Sequence, residues 1–409
     1  MGSFRNSVLF NVPKNYKSGV LASVKPIDGS KDFALSRSGS SYQLGGTGSS
    51  SDGIWYSIGS GVPRVGWGLD GTGCPKLKML LAGSNLFTYS NDFSNWLLQG
   101  GSVASTAETG IIDGQTSYEF VEDTNTGVHD MRLQATYTAG EHTITFAVKL
   151  NDAAIAAGRT KVQIQDSFSA SLNYTLTGDG AVSGAGGTIT KGVNGIYYLT
   201  KTFTATSSSV NAFVKMLDNS DATSYTGDGV SGFHVFFAQS ETGDIFTCPI
   251  VTTGSTATRV ADTTLSAGSL NGGLISGDQS AFYFDFEIEG SVKNNGQSFR
   301  ADATGTNNRV EVFLVGSSVS LRLVENNSQQ AAKSISVDTR YRAIIKVNGT
   351  SFKMFVNGVK EFDQTEYSFN LNSLSFRTDN GVNQNFNGAA VWNGSEVPSD
   401  EDCITLTTL

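Results

Sequence analysis

Between residues 341 and 362 the chain reads Tyr-Arg-Ala-Ile-Ile-Lys-Val, Asn-Gly, Thr-Ser-Phe-Lys-Met-Phe-Val, Asn-Gly, Val-Lys-Glu-Phe. Asn-Gly supplies the positive φ that both central positions of a type I′ turn demand, and the twist of that turn matches the strands on either side. Two such turns, at Asn348-Gly349 and Asn357-Gly358, set between β-branched and aromatic runs, predict an antiparallel meander. Strand-like runs continue on both sides, at residues 281–288, 309–315, 318–324, 334–337 and 372–377. Together they predict a β-sandwich over residues 263–409.

The same grammar governs residues 85–262. In His142-Thr-Ile-Thr-Phe-Ala-Val-Lys-Leu150 the residues Ile144, Phe146, Val148 and Leu150 alternate with smaller or polar ones, the period of two of a half-buried strand. Similar runs at residues 117–122, 161–165, 197–205, 212–217 and 233–238 predict a jelly roll or sandwich. One helix-like piece, residues 152–157, interrupts them. Residues 1–84 differ: their apolar residues are scattered, and residues 39–42 and 45–53 read as flexible or turn-forming. Such a segment is expected to order against something else, whether the later domains, sister subunits or a docking platform. The expected fold class is therefore all-β, with two antiparallel sandwiches after an irregular N-terminal docking and oligomerisation segment.

Composition narrows the function. Only 16% of residues are charged, against about 25% in an average soluble protein. The net charge of -9 repels phosphate backbones, which argues against nucleic acid as a partner. The start has no secretory apolar core, Asn6 stands where a myristoylation motif needs Ser or Thr, and the best apolar run, residues 77–82, is broken by Lys78. No membrane insertion is expected. Cys74, Cys248 and Cys403 are odd in number and widely spaced, which predicts neither a disulfide framework nor a thiolate metal site. His142 and His234 lie in strand-like runs and read as hydrogen-bonded strand residues, leaving His129 as the third histidine.

Three constellations could carry chemistry. Phe284-Asp-Phe-Glu-Ile-Glu289 puts Asp285, Glu287 and Glu289 on one strand face and Phe284, Phe286 and Ile288 on the other. The plain reading is an acidic, solvent-facing row that discourages strand-edge pairing. Asp218, Asp221 and Asp228 offer hard oxygen ligands for Ca²⁺ but lack the fixed spacing of a calcium loop, so turn formation is favoured. Trp55, Trp67, Trp96, Trp392 and the Tyr197-Tyr198 pair could stack on sugar rings, although each Trp fits a core role as well. One tyrosine of the pair should face outward. Gly66-Trp-Gly-Leu-Asp-Gly-Thr-Gly73 lacks the Lys and strand-to-helix transition of a nucleotide loop and reads as a turn-rich loop.

The chain also resembles a family of tailed-bacteriophage virion proteins with lectin-like domains. The resemblance is carried by Asp32-Phe-Ala-Leu-Ser-Arg37, Val62-Pro-Arg-Val65, Cys74-Pro75 before Lys76-Leu-Lys-Met-Leu-Leu81, Asn85-Leu-Phe-Thr-Tyr-Ser-Asn-Asp-Phe-Ser-Asn-Trp96, Phe236-Phe-Ala-Gln-Ser-Glu-Thr-Gly243 and Thr252-Thr-Gly-Ser-Thr-Ala-Thr-Arg-Val-Ala-Asp262. The phrase from Asn85 looks like the opening strand of a carbohydrate-binding jelly roll, with Ser94 where that family often carries a Glu. Residues 344–358, with Ala390-Val-Trp-Asn393 and Pro398-Ser-Asp-Glu401, are similar to concanavalin A-like and laminin-G-like lectin domains. The resemblance implies a surface-exposed fibre or decoration protein of the virion, made in the host bacterial cytoplasm. It implies a homotrimer docked to other virion proteins through residues 1–84, in contact with host-surface glycan, without catalytic residues or cofactor. A purely architectural capsid or tail component is the alternative. A glycan depolymerase is the second, because the acidic row is similar to the Glu-x-Asp-x-x-Glu strand of some concanavalin-like glycoside hydrolases.

Overall fold

The computed structural model describes residues 30–47, 50–269, 279–290, 296–302, 308–315, 318–348, 351–365, 371, 373–377 and 383–408, with residues 4, 7, 9–11, 13, 16, 17, 20, 21, 23, 24 and 27 of the N-terminal stretch. Antiparallel strands dominate it. Two six-stranded sheets face each other in the middle of the chain. One runs in the order Leu97–Gln99, Asp130–Tyr137, Ser208–Met216, Lys161–Gln165, Leu172–Thr175, Ala181–Val182. The other runs Gly101–Thr109, Thr116–Glu122, Gly232–Thr242, Gly140–Leu150, Tyr197–Ala205, Gly187–Lys191. Between them lies a core that includes Phe120, Phe146, Val148, Val162, Ile164, Leu199, Val214 and Val235, all fully buried.

The C-terminal sandwich pairs an eight-stranded with a seven-stranded sheet over a second core rich in phenylalanine and valine. Its eight-stranded sheet runs Val359–Thr365, Ser351–Val356, Arg340–Asn348, Gln279–Glu289, Asn383–Asn393, Lys76–Met79, Arg64–Gly66, with Leu9–Asn11 also pairing Asn383–Asn393. In the opposite sheet Ala34–Ser36 pairs Thr264–Ser269. The described residues of the first section thus contribute strands to both sheets of the third, while Leu44, Trp55 and Trp67 pack with Ile112, Tyr198 and Phe236 of the jelly roll.

The local signals act as the backbone rules require. Asn357 and Gly358 both have positive φ, 46° and 80°, which closes the hairpin between Ser351–Val356 and Val359–Thr365. The companion turn at Asn348-Gly349 runs out of the described residues at Gly349. Asn326 and Asn327 form a further turn with both φ positive, 48° and 63°.

Three expectations about these elements need correction. Residues 45–53, read as flexible or turn-forming, lie largely in the strands of the hairpin Ser41–Thr47/Ser50–Ile58. A β-carbon at Gly45 would sit 2.3 Å from the Tyr56 ring, so this glycine serves close packing within a strand rather than looseness. The phrase from Asn85 to Trp96 is mostly not a strand: Asp92 accepts from the Ser94 N–H and Oγ–H and caps the 3-10 turn Phe93–Asn95. The strand expected at residues 334–337 runs Ser328–Ile335 instead, because the Asn326-Asn327 turn sets its register against Ser318–Glu325. A second helix, Asp400–Thr407, follows the last strand. It is started by a Ser399–Asp402 capping box and covers Tyr283, Trp392 and Phe355 on the outer face of the eight-stranded sheet. Neither helix is long and apolar enough to cross a membrane.

Candidate functional site

Along Gln279–Glu289 the outward face changes character step by step. Ala281 and Tyr283 are buried in the cluster beneath the C-terminal helix. Asp285 follows, 4% exposed, gripped by Arg340 Nε at 2.7 Å and Nη2 at 2.6 Å, Arg342 Nε at 3.2 Å and Asn387 Nδ2 at 3.2 Å. Glu287 accepts from Lys76 Nζ at 2.9 Å and Asn385 Nδ2 at 3.0 Å, while Glu289 accepts from the same amide at 2.6 Å and from Lys78 Nζ at 3.4 Å. Glu287, Asn385 and Lys78 stand directly opposite one another across three strands. Asp285, Glu287 and Glu289 therefore do share a face, but on an interior strand rather than an edge. The edge-guarding reading fails on that count, and Asp285 is covered by Arg340 and Arg342 of the neighbouring strand, while Glu287 and Glu289, paired with Lys76 and Lys78 from one strand further on, stay partly exposed.

Glu287 and Glu289 border a cleft between the two sandwiches. One part, about 480 Å³, is lined by Trp67, Asp70, Thr72, Cys74, Lys76, Lys78, Thr190 and Asn385 among others. A contiguous part, about 270 Å³, adds Thr188, Tyr198, Thr200, Phe246 and Asp338. The Gly66–Gly73 loop, read as a plain turn, supplies much of one wall. Nothing in its sequence announces this, since the opposite walls lie more than 100 residues further along the chain. Burial pushes the Glu287 carboxyl upward, but the Lys76 and Asn385 hydrogen bonds and the Lys76 and Lys78 charges outweigh it, so the group stays below its ordinary range. A general acid at neutral pH needs the opposite shift.

The aromatic candidates are mostly internal. Trp96 donates to the Tyr89 carbonyl at 2.9 Å among Phe87, Phe93 and Phe146, and Trp392 is wholly buried beside Phe4. Trp55 donates to the Tyr198 hydroxyl at 3.2 Å. Neither tyrosine of the pair faces outward freely: Tyr197 points into the jelly-roll core, and Tyr198, on the opposite face, is covered by Trp55 and Phe246. Burial raises the Tyr198 hydroxyl to about 12 despite the Trp55 bond. Trp67 and Tyr198 are the two candidates that reach the cleft.

The calcium candidates serve separate roles. Asp218 accepts from Ser220 and Ala222 N–H groups, Asp221 pairs with Lys161, and Asp228 accepts from Val230 and Ser231 N–H groups near Arg159. Among the described residues no group of three or more His, Cys, Asp or Glu side chains is arranged to hold a metal ion. His129 lies between the Gly100 and Tyr225 carbonyls, His142 against the Thr138 carbonyl and His234 beside Glu108. All three cysteines are free, Cys74 exposed and the others buried.

The architecture just described is that of an all-β protein with two antiparallel sandwiches. Among solved structures the chain is similar to domain 4 of AbnA, a GH43 extracellular arabinanase from Geobacillus stearothermophilus, in complex with arabinotriose, at 13% identity and TM-score 0.28 over 38% of this chain and 77% of that one. It is similar to the botulinum neurotoxin serotype D binding domain at 12% identity and TM-score 0.28, over 35% of this chain and 39% of the other. A third likeness is to the CBM40 of a Ruminococcus gnavus IT-sialidase bound to α2,3 sialyllactose, at 11% identity and TM-score 0.25, over 32% and 84%. No family model and no curated protein matches the chain.

Proposed function

We propose that this chain is a non-enzymatic, surface-exposed component of a bacteriophage particle, a fibre or decoration protein that holds host-surface glycan in the cleft between its sandwiches. The virion role, the homotrimer and docking through residues 1–84 rest on the sequence resemblance. Glycan contact rests on the cleft: a polar groove of binding-site volume whose walls combine threonine hydroxyls, the Asn385 amide, two lysines and the Glu287 and Glu289 carboxylates. Sugars present hydroxyls that pair with such donors and acceptors. Binding is favoured over depolymerisation because Glu287 is held ionised while Glu287 and Glu289 share one amide donor and each has a lysine partner.

Calorimetry of the full chain with surface polysaccharide from the host bacterium tests the reading. Asn385→Ala is expected to weaken binding about tenfold by removing the donor that aligns both carboxylates. An absence of binding to host polysaccharide and to a glycan array would favour the purely architectural role. Chain cleavage that Glu287→Gln abolishes would favour the depolymerase.

A further inference from the structure

Lys201 is out of place by the ordinary rules of a sandwich core. On Tyr197–Ala205 the inward row is Tyr197, Leu199, Lys201, Phe203 and Ala205, and Lys201 sits in the middle of it, 1% exposed. Facing it is Asp166, 3% exposed, which directly follows Lys161–Gln165 in the opposite sheet. Lys201 Nζ donates to Asp166 Oδ2. The Phe203 ring lies 6.0 Å from the ammonium, with Phe168 and Tyr137 packed on that ring at 5.5 and 5.4 Å.

The donors and acceptors are arranged unusually for a plain ion pair. An ammonium carries three N–H donors, and among the described residues Asp166 is the acceptor hydrogen-bonded to Lys201. On the other side, Asp166 Oδ1 accepts the N–H groups of Phe168 at 2.6 Å and Ser169 at 2.8 Å. The Ser169 hydroxyl lies 3.2 Å from Oδ2. One carboxyl oxygen thus rests in a two-amide cradle of the kind that stabilises a tetrahedral oxyanion, and the other meets a nucleophile and a hydroxyl.

We propose that Lys201 and Asp166 join in an intramolecular amide bond that cross-links the two sheets of the jelly roll. A proton passes from Nζ to Oδ2 along their hydrogen bond, leaving an uncharged amine and acid, the forms that need no water around them. The amine lone pair attacks Cγ, the new N–C bond forms, and charge collects on Oδ1 against the two backbone N–H groups. The Cγ–Oδ2 bond then breaks and Oδ2 leaves as water, taking its second hydrogen from the nitrogen with Ser169 Oγ as relay. One positive and one negative charge disappear together, one water is released, and no outside reactant is consumed. Sheet packing holds the partners in contact, which makes the step effectively unimolecular. The product has a single N–H in the core where the ammonium had three.

Denaturing intact-mass measurement on the full chain should give a value lighter than the sequence mass by one water. Asp-Gly steps such as Asp179-Gly180 can also lose water by cyclising, so the decisive measurement is tryptic digestion with tandem mass spectrometry. A branched species joining residues 162–191 to residues 192–215, uncleaved at Lys201, is expected from the wild type and absent from Lys201→Met. Because the wild type itself carries the readout, failure of the variant to fold does not blunt the test. Recovery from the wild type of the three linear peptides 162–191, 192–201 and 202–215 without the branched species overturns the proposal.

Discussion

Glu287 gives the cleft its pH dependence. Its folded pKa is depressed, so its contribution to stability is full above the unfolded carboxylate value of about 4.3 and fades as pH falls through the lower folded value. Urea midpoints of wild type and Glu287→Gln should therefore differ at pH 7 and converge as the pH is taken down through the folded value. Cys74 offers a second handle, being an exposed thiol on the cleft wall. A bulky maleimide should label it in the native protein and block glycan uptake. Cys403, whose thiol burial raises to about 12, and buried Cys248 should react only after unfolding; labelled peptides identified by mass spectrometry check both parts. The carboxylates of this site are legible in the sequence as an alternating row. Their partners are not, since Lys76 and Glu287 stand 211 positions apart and meet only through the sheet between them.

At the scale of elements, the asparagine turns show which local signals survive folding. Asn357 combines a φ of 46° with a side-chain oxygen that accepts the Arg342 N–H at 2.8 Å. Asn357→Ala, which loses both, should cost about 1–2 kcal/mol, whereas Asn357→Gly keeps the backbone and should cost less; thermal unfolding of the two variants compares them. The junction between the sandwiches depends instead on Asp262. Wholly buried, it takes Arg37 Nη1 at 2.8 Å, Arg64 Nη1 at 2.6 Å and the Leu80 N–H at 2.8 Å. Asp262→Ala strands two buried guanidinium groups and should destabilise the chain by about 3–5 kcal/mol, read from denaturant unfolding. Long strands such as Gly140–Leu150 are visible in sequence because each residue's side is fixed by the pleat alone, but the half-buried reading is corrected: Thr143, Thr145 and Ala147, expected on a wet face, are buried as fully as Ile144, Phe146 and Val148. The Asp400–Thr407 helix escaped because its polar face dominates and its buried residues, Cys403 and Thr407, acquire meaning only against the sheet they cover.

On the scale of the whole molecule, the N-terminal stretch decides what can fold alone. Leu9–Asn11, Arg64–Gly66 and Lys76–Met79 complete one sheet of the C-terminal sandwich, and Ala34–Ser36 extends the other. A fragment of residues 263–409 should therefore stay largely unfolded by amide hydrogen exchange, while the full chain protects the same strands. A trimeric mass in solution would agree with the virion reading, and a monomer at micromolar concentration would count against it. The alternating apolar runs and asparagine-glycine turns determined that this chain is built of antiparallel strands in two sandwiches, because the pleat and the type I′ turn are properties of a few adjacent residues. Where the first 84 residues insert, which lysine neutralises which carboxylate, and that a cleft opens between the sandwiches were decided only by tertiary structure. Those facts depend on contacts between segments hundreds of residues apart, and no local pattern encodes them.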